Sequence, residues 1–158
     1  WTDFEQLFEC KGSPHNCWCT VWRVNEYKKT IPGKYGKKES MHNRVKKGTP
    51  IGLLGTMKTN LLVGLDRPRE TYKKLGGDES KDGVWSLVCV FIKRQFRNKG
   101  LTSRLIDAAI GYAKNNGAKY IEAYPVAPDS PSYRFMGFVP TFEGQVFSLL
   151  NQLEHEGM

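Results

Sequence analysis

The distribution of hydrophobic residues predicts a core built around one strongly apolar strand. Val84–Ile92 is almost continuously apolar, which is typical of a central strand covered on both faces. Leu101–Asn116 follows with apolar residues at helical spacing, and Asn115-Asn116-Gly117 supplies a stop signal. Tyr120–Pro125 is predicted to be a second strand. Strand, loop, helix and strand within about 40 residues form a βαβ crossover, so the two strands are predicted to be parallel neighbours.

The first half of the chain carries shorter signals. Cys17–Val24 is rich in aromatic and β-branched residues, so we expect a strand there. Lys38–Lys47 is expected to form a helix that ends at Gly48. Ile51–Thr56 and Leu61–Leu65 are predicted to be two further strands separated by a polar turn.

Composition and charge narrow the class of protein. The chain has 158 residues, of which 39% are hydrophobic, so one folded domain is expected without disulfides or metals. No apolar stretch approaches the ~20 residues that span a bilayer and no signal segment opens the chain, so we expect a cytoplasmic protein without a membrane partner. The net charge of +8 favours a nucleic-acid-binding module as an alternative, but no recognised nucleic-acid-binding motif accompanies it.

The cysteines raise the question of a metal site. Cys10, His15, Cys17 and Cys19 could form a zinc set by count alone. Structural zinc sites usually use cysteine pairs two to four residues apart, whereas Cys17-Trp18-Cys19 alternates as a strand would. We therefore expect free thiols, buried or facing a substrate, and no metal. His15 is expected to be a surface histidine.

A basic loop, Lys93–Thr102, joins the apolar strand to its helix. The start of a helix offers unpaired backbone N–H groups and the positive end of the helix dipole, which together bind anions. Gly100 would let the backbone approach a diphosphate closely. A solvated basic turn with a flexible glycine is an equally good interpretation of these residues. Neither a Walker loop nor a G-x-G-x-x-G pattern is present.

Two segments resemble the GNAT superfamily of acyl-CoA-dependent N-acyltransferases. Phe96–Thr102 resembles the Q/R-x-x-G-x-G/A motif with which that family grips the coenzyme A pyrophosphate. Tyr133–Val139 is similar to its Y-x-x-x-G-F segment. Cys17-Trp18-Cys19 with Trp22 also resembles the start of a bacterial GNAT subgroup.

This resemblance implies a fold and a domain organisation. The fold is α+β with α/β/α layers, in which helices flank a mixed, mainly antiparallel sheet whose fourth and fifth strands are parallel. One acetyltransferase domain is expected over 1–158, with a coenzyme-binding core at about 84–140 and an acceptor-side region at about 1–75. The basic stretch Lys28–Lys47 lies in that region and would select an anionic acceptor, meet the coenzyme's phosphates or form a solvated face.

The resemblance also implies an activity. Acetyl-CoA is the expected cosubstrate, no metal takes part, and the acetyl group passes directly to a primary amine of a small molecule or peptide. A homodimer is left open. The residues implied to bind the coenzyme are the strand residues Val90, Phe91 and Ile92, through their backbones, and the loop residues Arg97, Asn98, Lys99, Gly100, Leu101 and Thr102.

Two residues are candidates for proton transfer. The resemblance implies that Tyr133 protonates the departing thiolate, with a buried packing tyrosine as the alternative. Glu122 is a carboxylate in an otherwise apolar strand and could collect the amine proton through water; an outward-facing glutamate is the alternative.

Three departures from the family pattern stand out. Thr102 replaces the final Gly or Ala of the loop motif, and Arg94 replaces a common proline. Val84–Ile92 carries no Glu or Asp, although many members place their general base on that strand. A GNAT-fold protein that binds acyl-CoA without transferring the acyl group is therefore a further alternative.

Overall fold

A computed structural model describes residues 1–13, 16–20, 23, 27, 29–55, 61–66, 83–145 and 147, with 61–66 described through their backbone. The helices in this part of the chain are α1 (Thr2–Glu9), α2 (Gly33–Lys46), α3 (Leu101–Asn115) and α4 (Val139–Glu143). The strands are β1 (Gly52–Gly55), β2 (Leu61–Asp66), β3 (Val84–Ile92) and β4 (Tyr120–Ala123). Two 3₁₀ turns cover Arg94–Phe96 and Arg134–Met136.

The four strands form one mixed sheet in the order β1-β2-β3-β4. β1 pairs with β2 and β2 pairs with β3 in antiparallel fashion. β3 and β4 pair in parallel, as the crossover through α3 predicts. The sheet and its helices therefore make an α+β fold with the longest strand, β3, in the interior.

A β-bulge in β3 changes which side chains face each side of the sheet. Leu87 and Cys89 lie opposite consecutive residues of β2, so Val88 is an extra residue in the ladder. Because of this extra residue, Leu87 and Val90 pack on the α3 side, whereas Cys89 and Phe91 pack on the opposite side.

The core consists of two clusters of buried side chains, one on each face of β3. The first joins β3 to α3 and α4 and comprises Trp85, Leu87, Ile92, Leu105, Ile106, Ala109, Ala113 and Phe142. The second joins β3 to α1 and α2 and comprises Phe4, Leu7, Phe8, Trp18, Cys19, Met41 and Cys89. The amphipathic faces of α1 and α3 thus cover opposite sides of the same strand.

The predicted strand at Cys17–Val24 is wrong over its first residues. Residues 16–19 form a turn in which the Thr20 N–H donates to the Cys17 carbonyl at 3.1 Å. Trp18 and Cys19 both adopt left-handed backbone angles, with φ of 47° and 53°. Burial of the Trp18 ring against Phe8 stabilises this turn, and two successive left-handed residues cannot continue a strand. Trp22 and Val24 lie outside the described residues.

Most other predicted elements lie where the pattern placed them, with different ends. The helix predicted at Lys38–Lys47 begins earlier, at Gly33, and ends before Gly48, whose φ is 70°. The N–H of Thr49 donates to Arg44 and that of Gly48 to Val45, which is the Schellman motif that ends helices at glycine. β4 is shorter than predicted because the chain leaves the sheet after Ala123.

None of the helices in the described ranges is both long enough and apolar enough to cross a membrane.

Candidate active site

β3 and β4 separate part-way along the length of β3. They pair from Val84 to Leu87, where Leu87 faces Ala123, and β3 then continues to Ile92. Within the described part of the chain, no strand pairs with β3 on that side beyond Leu87. Alternate backbone N–H and C=O groups of 88–92 therefore face an opening in which a ligand can hydrogen-bond to them.

The chain beyond β4 is held away from β3 by a separate pairing. The Val126 N–H donates to the Gly137 carbonyl at 2.9 Å, and the Val139 N–H donates to the Val126 carbonyl at 3.0 Å. Gly137 has a φ of 88° and a ψ of 178°, a conformation almost restricted to glycine. A Cβ there would lie 2.7 Å from the Phe142 ring. Glycine at 137 thus allows the Phe142 ring to pack closely against the segment that pairs with Val126.

Tyr133 lies in the segment that packs beside β3. The 3₁₀ turn that it precedes contacts β3, and the Phe135 ring belongs to the cluster around Cys89 and Phe91. The Tyr133 side chain is 45% exposed, with its ring edge-on to Phe135 at 6.1 Å, whereas Met136 is buried. The alternative of a buried packing tyrosine is therefore wrong, because Met136 is the buried residue of this turn and Tyr133 is exposed. The catalytic role of Tyr133 stays a prediction.

The loop between β3 and α3 presents backbone donors at one point. Asn98 and Gly100 adopt left-handed φ angles of 59° and 67°, which turn the chain sharply into α3. In the described residues, the N–H groups of Leu101, Thr102 and Ser103 have no carbonyl or side-chain acceptor, whereas that of Arg104 donates to Gly100. These free donors at the positive end of a 15-residue helix are suited to bind an anion, and we call this helix start the anion site.

Positive side chains surround this helix start. Arg97, Lys99 and Arg104 are all exposed, and the Arg97 Nε donates to the carbonyl of Ile92 at 2.9 Å. This bond ties the loop to the end of β3, so the anion site and the opening between the strands are adjoining features. A Cβ at Gly100 would meet no atom within 4 Å, which leaves open space where a diphosphate would lie.

A comparison of the chain with models of known families identifies its family. The model of the acetyltransferase (GNAT) family matches residues 22–138, which is most of the chain. The chain belongs to the GNAT acetyltransferase family. No curated protein and no solved structure matches it significantly. Members of the GNAT family transfer acetyl groups from acetyl-CoA, in general to amines of small molecules or peptides.

The GNAT match covers every residue predicted to bind the coenzyme. Val90, Phe91 and Ile92 form the unpaired end of β3, and Arg97 to Thr102 form the loop at the start of α3. Sequence reasoning missed two further residues at this helix start, Ser103 and Arg104. The rule that the first turn of a helix leaves its N–H groups unpaired, applied past Thr102, would have found Ser103. The N–H of Arg104 donates to Gly100, and the positive charge of its exposed side chain is the signal that would have found it.

Glu122 occupies a different part of the GNAT sheet. It lies opposite Ser86 in the β3–β4 ladder, and its Oε1 accepts a hydrogen bond from the buried Ser86 hydroxyl at 2.5 Å. Ser86 precedes Val90 by four residues, a distance of about 13 Å along a strand. The Glu122 side chain is half-buried, and both its catalytic role and the outward-facing alternative stay predictions.

The proposed zinc set is not assembled in the described residues. The Cys10 thiol donates to the carbonyl of Leu7 at 3.2 Å, and all four cysteines are free thiols. Three metal-ligating side chains do not converge anywhere in this part of the chain. His15 lies outside the described residues.

Two lysines of the basic stretch on α2 have internal partners. Lys38 pairs with Glu5 at 2.5 Å and Glu9 at 2.6 Å, and these hydrogen bonds raise the pKa of its ammonium group. Lys37 donates to the Asn16 carbonyl at 2.9 Å. These two cations hold α2 against α1 and the turn that follows it. Lys28 lies outside the described residues.

The same region contains a cavity of about 240 Å³. Aromatic and charged side chains line it: Phe8, Glu9, Trp18, Lys34, Tyr35 and Lys38. A ligand bound there would meet aromatic faces together with both signs of charge.

We predict that Gly100→Asp weakens coenzyme A binding at least about 30-fold, equivalent to about 2 kcal/mol, because its carboxylate would occupy the open side of Gly100 and repel the diphosphate. Isothermal titration calorimetry of the folded variant measures this loss. Gly117→Asp is the matched control, since Gly117 has a φ of 83° and open space at the opposite end of α3. Equal affinities of Gly100→Asp and Gly117→Asp would rule out the assigned site.

Proposed function

We propose that this protein is an N-acetyltransferase that passes the acetyl group of acetyl-CoA directly to a primary amine of a small molecule or peptide. The observation that carries the proposal is the opening between β3 and β4, at the end of the strand that leads into the free N–H groups of α3. The turn that Tyr133 precedes contacts the same strand. A GNAT reaction needs these three features together: a place for the thioester, an anion site and a proton donor.

The anion site would hold the coenzyme's diphosphate. The N–H groups of Leu101, Thr102 and Ser103 point outward from the helix start, and the exposed Arg97, Lys99 and Arg104 add positive charge. Thr102 can donate its backbone N–H despite its branched side chain, because its donor belongs to the main chain. The departure from the family motif at this position therefore leaves the anion site intact.

The unpaired end of β3 would hold the thioester. A backbone N–H of Val90, Phe91 or Ile92 can donate to the thioester carbonyl oxygen, where negative charge develops as the amine attacks. These donors are fixed by the ladder with β2, which continues as far as Ile92. A rigid donor needs little reorganisation during the reaction, so this arrangement favours transfer over mere binding.

Tyr133 is proposed to protonate the leaving thiolate. As the new C–N bond forms, the C–S bond breaks and the sulfur gains a negative charge that a phenol O–H can neutralise. The left-handed backbone at Tyr133, with a φ of 56°, fixes the direction in which the side chain leaves the turn. A non-glycine residue in this conformation is typical of functional positions.

Glu122 is our candidate for collecting the amine proton. The bond from Ser86 leaves the other carboxylate oxygen of Glu122 to accept a proton through water. β3 itself carries no carboxylate, so the neighbouring strand supplies one at the register position of Ser86.

The acceptor is proposed to approach from the N-terminal side. Residues of about 1–75 would form the acceptor side of a single domain, and 84–140 its coenzyme core. The pairing of Lys38 with Glu5 and Glu9 removes one cation from the set that would recognise an anionic acceptor. Aromatic surfaces near the cavity at Trp18 and Tyr35 favour an amine with an apolar part.

The direct test of transfer uses isotopically labelled acetyl-CoA and a panel of primary amines: polyamines, amino acids, aminoglycosides and lysine-containing peptides. Mass spectrometry should detect a labelled acetyl group on an acceptor, with one free coenzyme A thiol released per acetyl group transferred. Coenzyme A binding with no acetylated product across the panel would instead support an acyl-CoA-binding protein without transferase activity. Salt-sensitive binding to oligonucleotides without coenzyme A binding would support the nucleic-acid alternative.

Tyr133→Phe is predicted to lower kcat on that acceptor by about 100-fold, the lower end of general acid contributions. The Kd for coenzyme A should not change, because the phenyl ring keeps its contact with Phe135 and the hydroxyl acts in the transition state. Tyr120→Phe, at a tyrosine that is 61% exposed, is the matched control and should turn over normally. A normal kcat for Tyr133→Phe, measured where chemistry limits the rate, would contradict the assigned role.

Glu122→Gln is predicted to lower kcat by about 100-fold while leaving the Kd for coenzyme A unchanged, because the amide oxygen can still accept from Ser86 but cannot take up a proton. Steady-state kinetics on the identified acceptor measures the effect. Glu143→Gln, at an exposed position of α4, is the control. A kcat for Glu122→Gln equal to that of the control would assign the base elsewhere.

A further inference from the structure

A pair of buried thiols lies on the face of β3 opposite α3. Cys19, in the turn after α1, and Cys89, in β3, are 6% and 8% exposed and belong to one apolar cluster. Within this cluster the Cys19 and Cys89 side chains interact with each other. Seventy positions separate the two residues in the chain, so the fold alone creates this contact.

A buried guanidinium completes the cluster. Arg23 is 2% exposed, and it donates to the Cys19 carbonyl at 2.6 Å and to the Ile51 carbonyl at 3.1 Å. Its positive charge also acts on the Cys19 thiol and lowers the pKa of that thiol. Since a buried positive charge requires compensation, a negatively charged sulfur at Cys19 is favoured beside Arg23.

The two thiols differ in their readiness to ionise. Donation from Cys89, reinforced by Arg23, lowers the pKa of the Cys19 thiol even though burial opposes this change. The same contact with Cys19, together with burial, raises the pKa of Cys89 well above its ordinary value. The Arg23 guanidinium, which donates to the Cys19 carbonyl, thus favours Cys19 over Cys89 as the nucleophile.

Backbone strain is concentrated at the same place. Trp18 and Cys19 are two successive non-glycine residues with positive φ, and Trp18 is held by packing on Phe8. Such conformations persist where the surroundings impose them, and they cluster at functional sites. The strain therefore fixes the position of the Cys19 sulfur against β3.

We propose that Cys19 and Cys89 form an oxidisable thiol pair that reacts with a peroxide to give an intramolecular disulfide. The Cys19 thiolate attacks one oxygen of hydrogen peroxide, the O–O bond breaks, and after uptake of a proton the products are a sulfenic acid at Cys19 and water. The Cys89 sulfur then attacks the Cys19 sulfur and forms the S–S bond. The S–O bond of the sulfenic acid breaks, and its hydroxyl leaves with the Cys89 proton as a second water. Overall, two thiols are oxidised and one peroxide is reduced to two waters.

Cys17 is the competing partner for Cys19. Its sulfur accepts hydrogen bonds from the backbone N–H groups of Cys19 and Thr20, and burial raises the pKa of its thiol. Two residues apart in a tight turn, Cys17 and Cys19 would need a strained small ring to form a disulfide. Cys89 approaches Cys19 from another element and needs no such ring.

The test treats the folded, full-length protein with one equivalent of hydrogen peroxide, alkylates the remaining thiols and measures intact mass and a peptide map. We expect the wild type to lose two of its four thiols, with the peptides containing Cys19 and Cys89 linked to each other. Dithiothreitol should restore all four thiols. This readout depends on thiol chemistry alone, so it is independent of whether the protein transfers acetyl groups.

Two variants separate the proposed pair from its competitor. Cys17→Ser should lose two thiols and form the same link as the wild type. Cys89→Ser should form no intramolecular disulfide at Cys19 and should instead retain a sulfenic acid there, detected as a dimedone adduct. A wild-type link between any other two cysteines, or four thiols that survive treatment until the protein is unfolded in urea, would overturn the proposal whether or not the variants fold.

Discussion

The separation of β4 from β3 after Leu87 is the constraint on which the rest of the candidate site depends. A strand in the middle of a sheet normally has both rows of backbone groups paired, because unpaired N–H and C=O groups are costly to bury. Here the chain beyond β4 pairs instead with the segment near Gly137, so the end of β3 keeps a partner on one side only. The groups left over on the other side are the ones that a thioester-containing arm would need.

The bulge at Val88 and the loop after Ile92 position the backbone groups that border this opening. The extra residue lets Val90 pack towards α3 and Phe91 towards α1, so both faces of the strand remain covered up to its end. The hydrogen bond from Arg97 to Ile92 then sets the loop, and with it the start of α3, at the end of the same strand. Backbone donors for a carbonyl and for a diphosphate are thereby carried by one rigid run of chain.

The elements that could be predicted are those whose signals are local. The apolar run of β3, the helical period of α3 and the glycine at 100 each indicate a structure within a few residues, and the family resemblance followed from the order of two short motifs. The contact between Ser86 and Glu122, the bulge and the Cys19–Cys89 pair depend on strand register and on residues far apart in sequence. The spacing of hydrophobic residues in one sequence does not predict which distant residues come into contact.

The prediction of a strand at Cys17–Val24, which is wrong over its first residues, failed for a different reason. Alternating polar and aromatic residues in a short segment satisfy both a strand and a turn in which one aromatic ring is buried. Trp18 lies in such a turn, since its ring stacks on Phe8 with the ring centres 5.1 Å apart, and the Lys38 ammonium group lies over it. The tertiary environment of one side chain therefore decided the local backbone.

Amide hydrogen exchange on the full-length protein, with and without coenzyme A, tests the central claim most directly. Binding in the opening between β3 and β4 should slow exchange at amides within Val88–Ile92 and at Leu101, Thr102 and Ser103, while amides of β1 keep their rates. Saturating coenzyme A that protects other segments and leaves both of these regions unchanged would contradict the account.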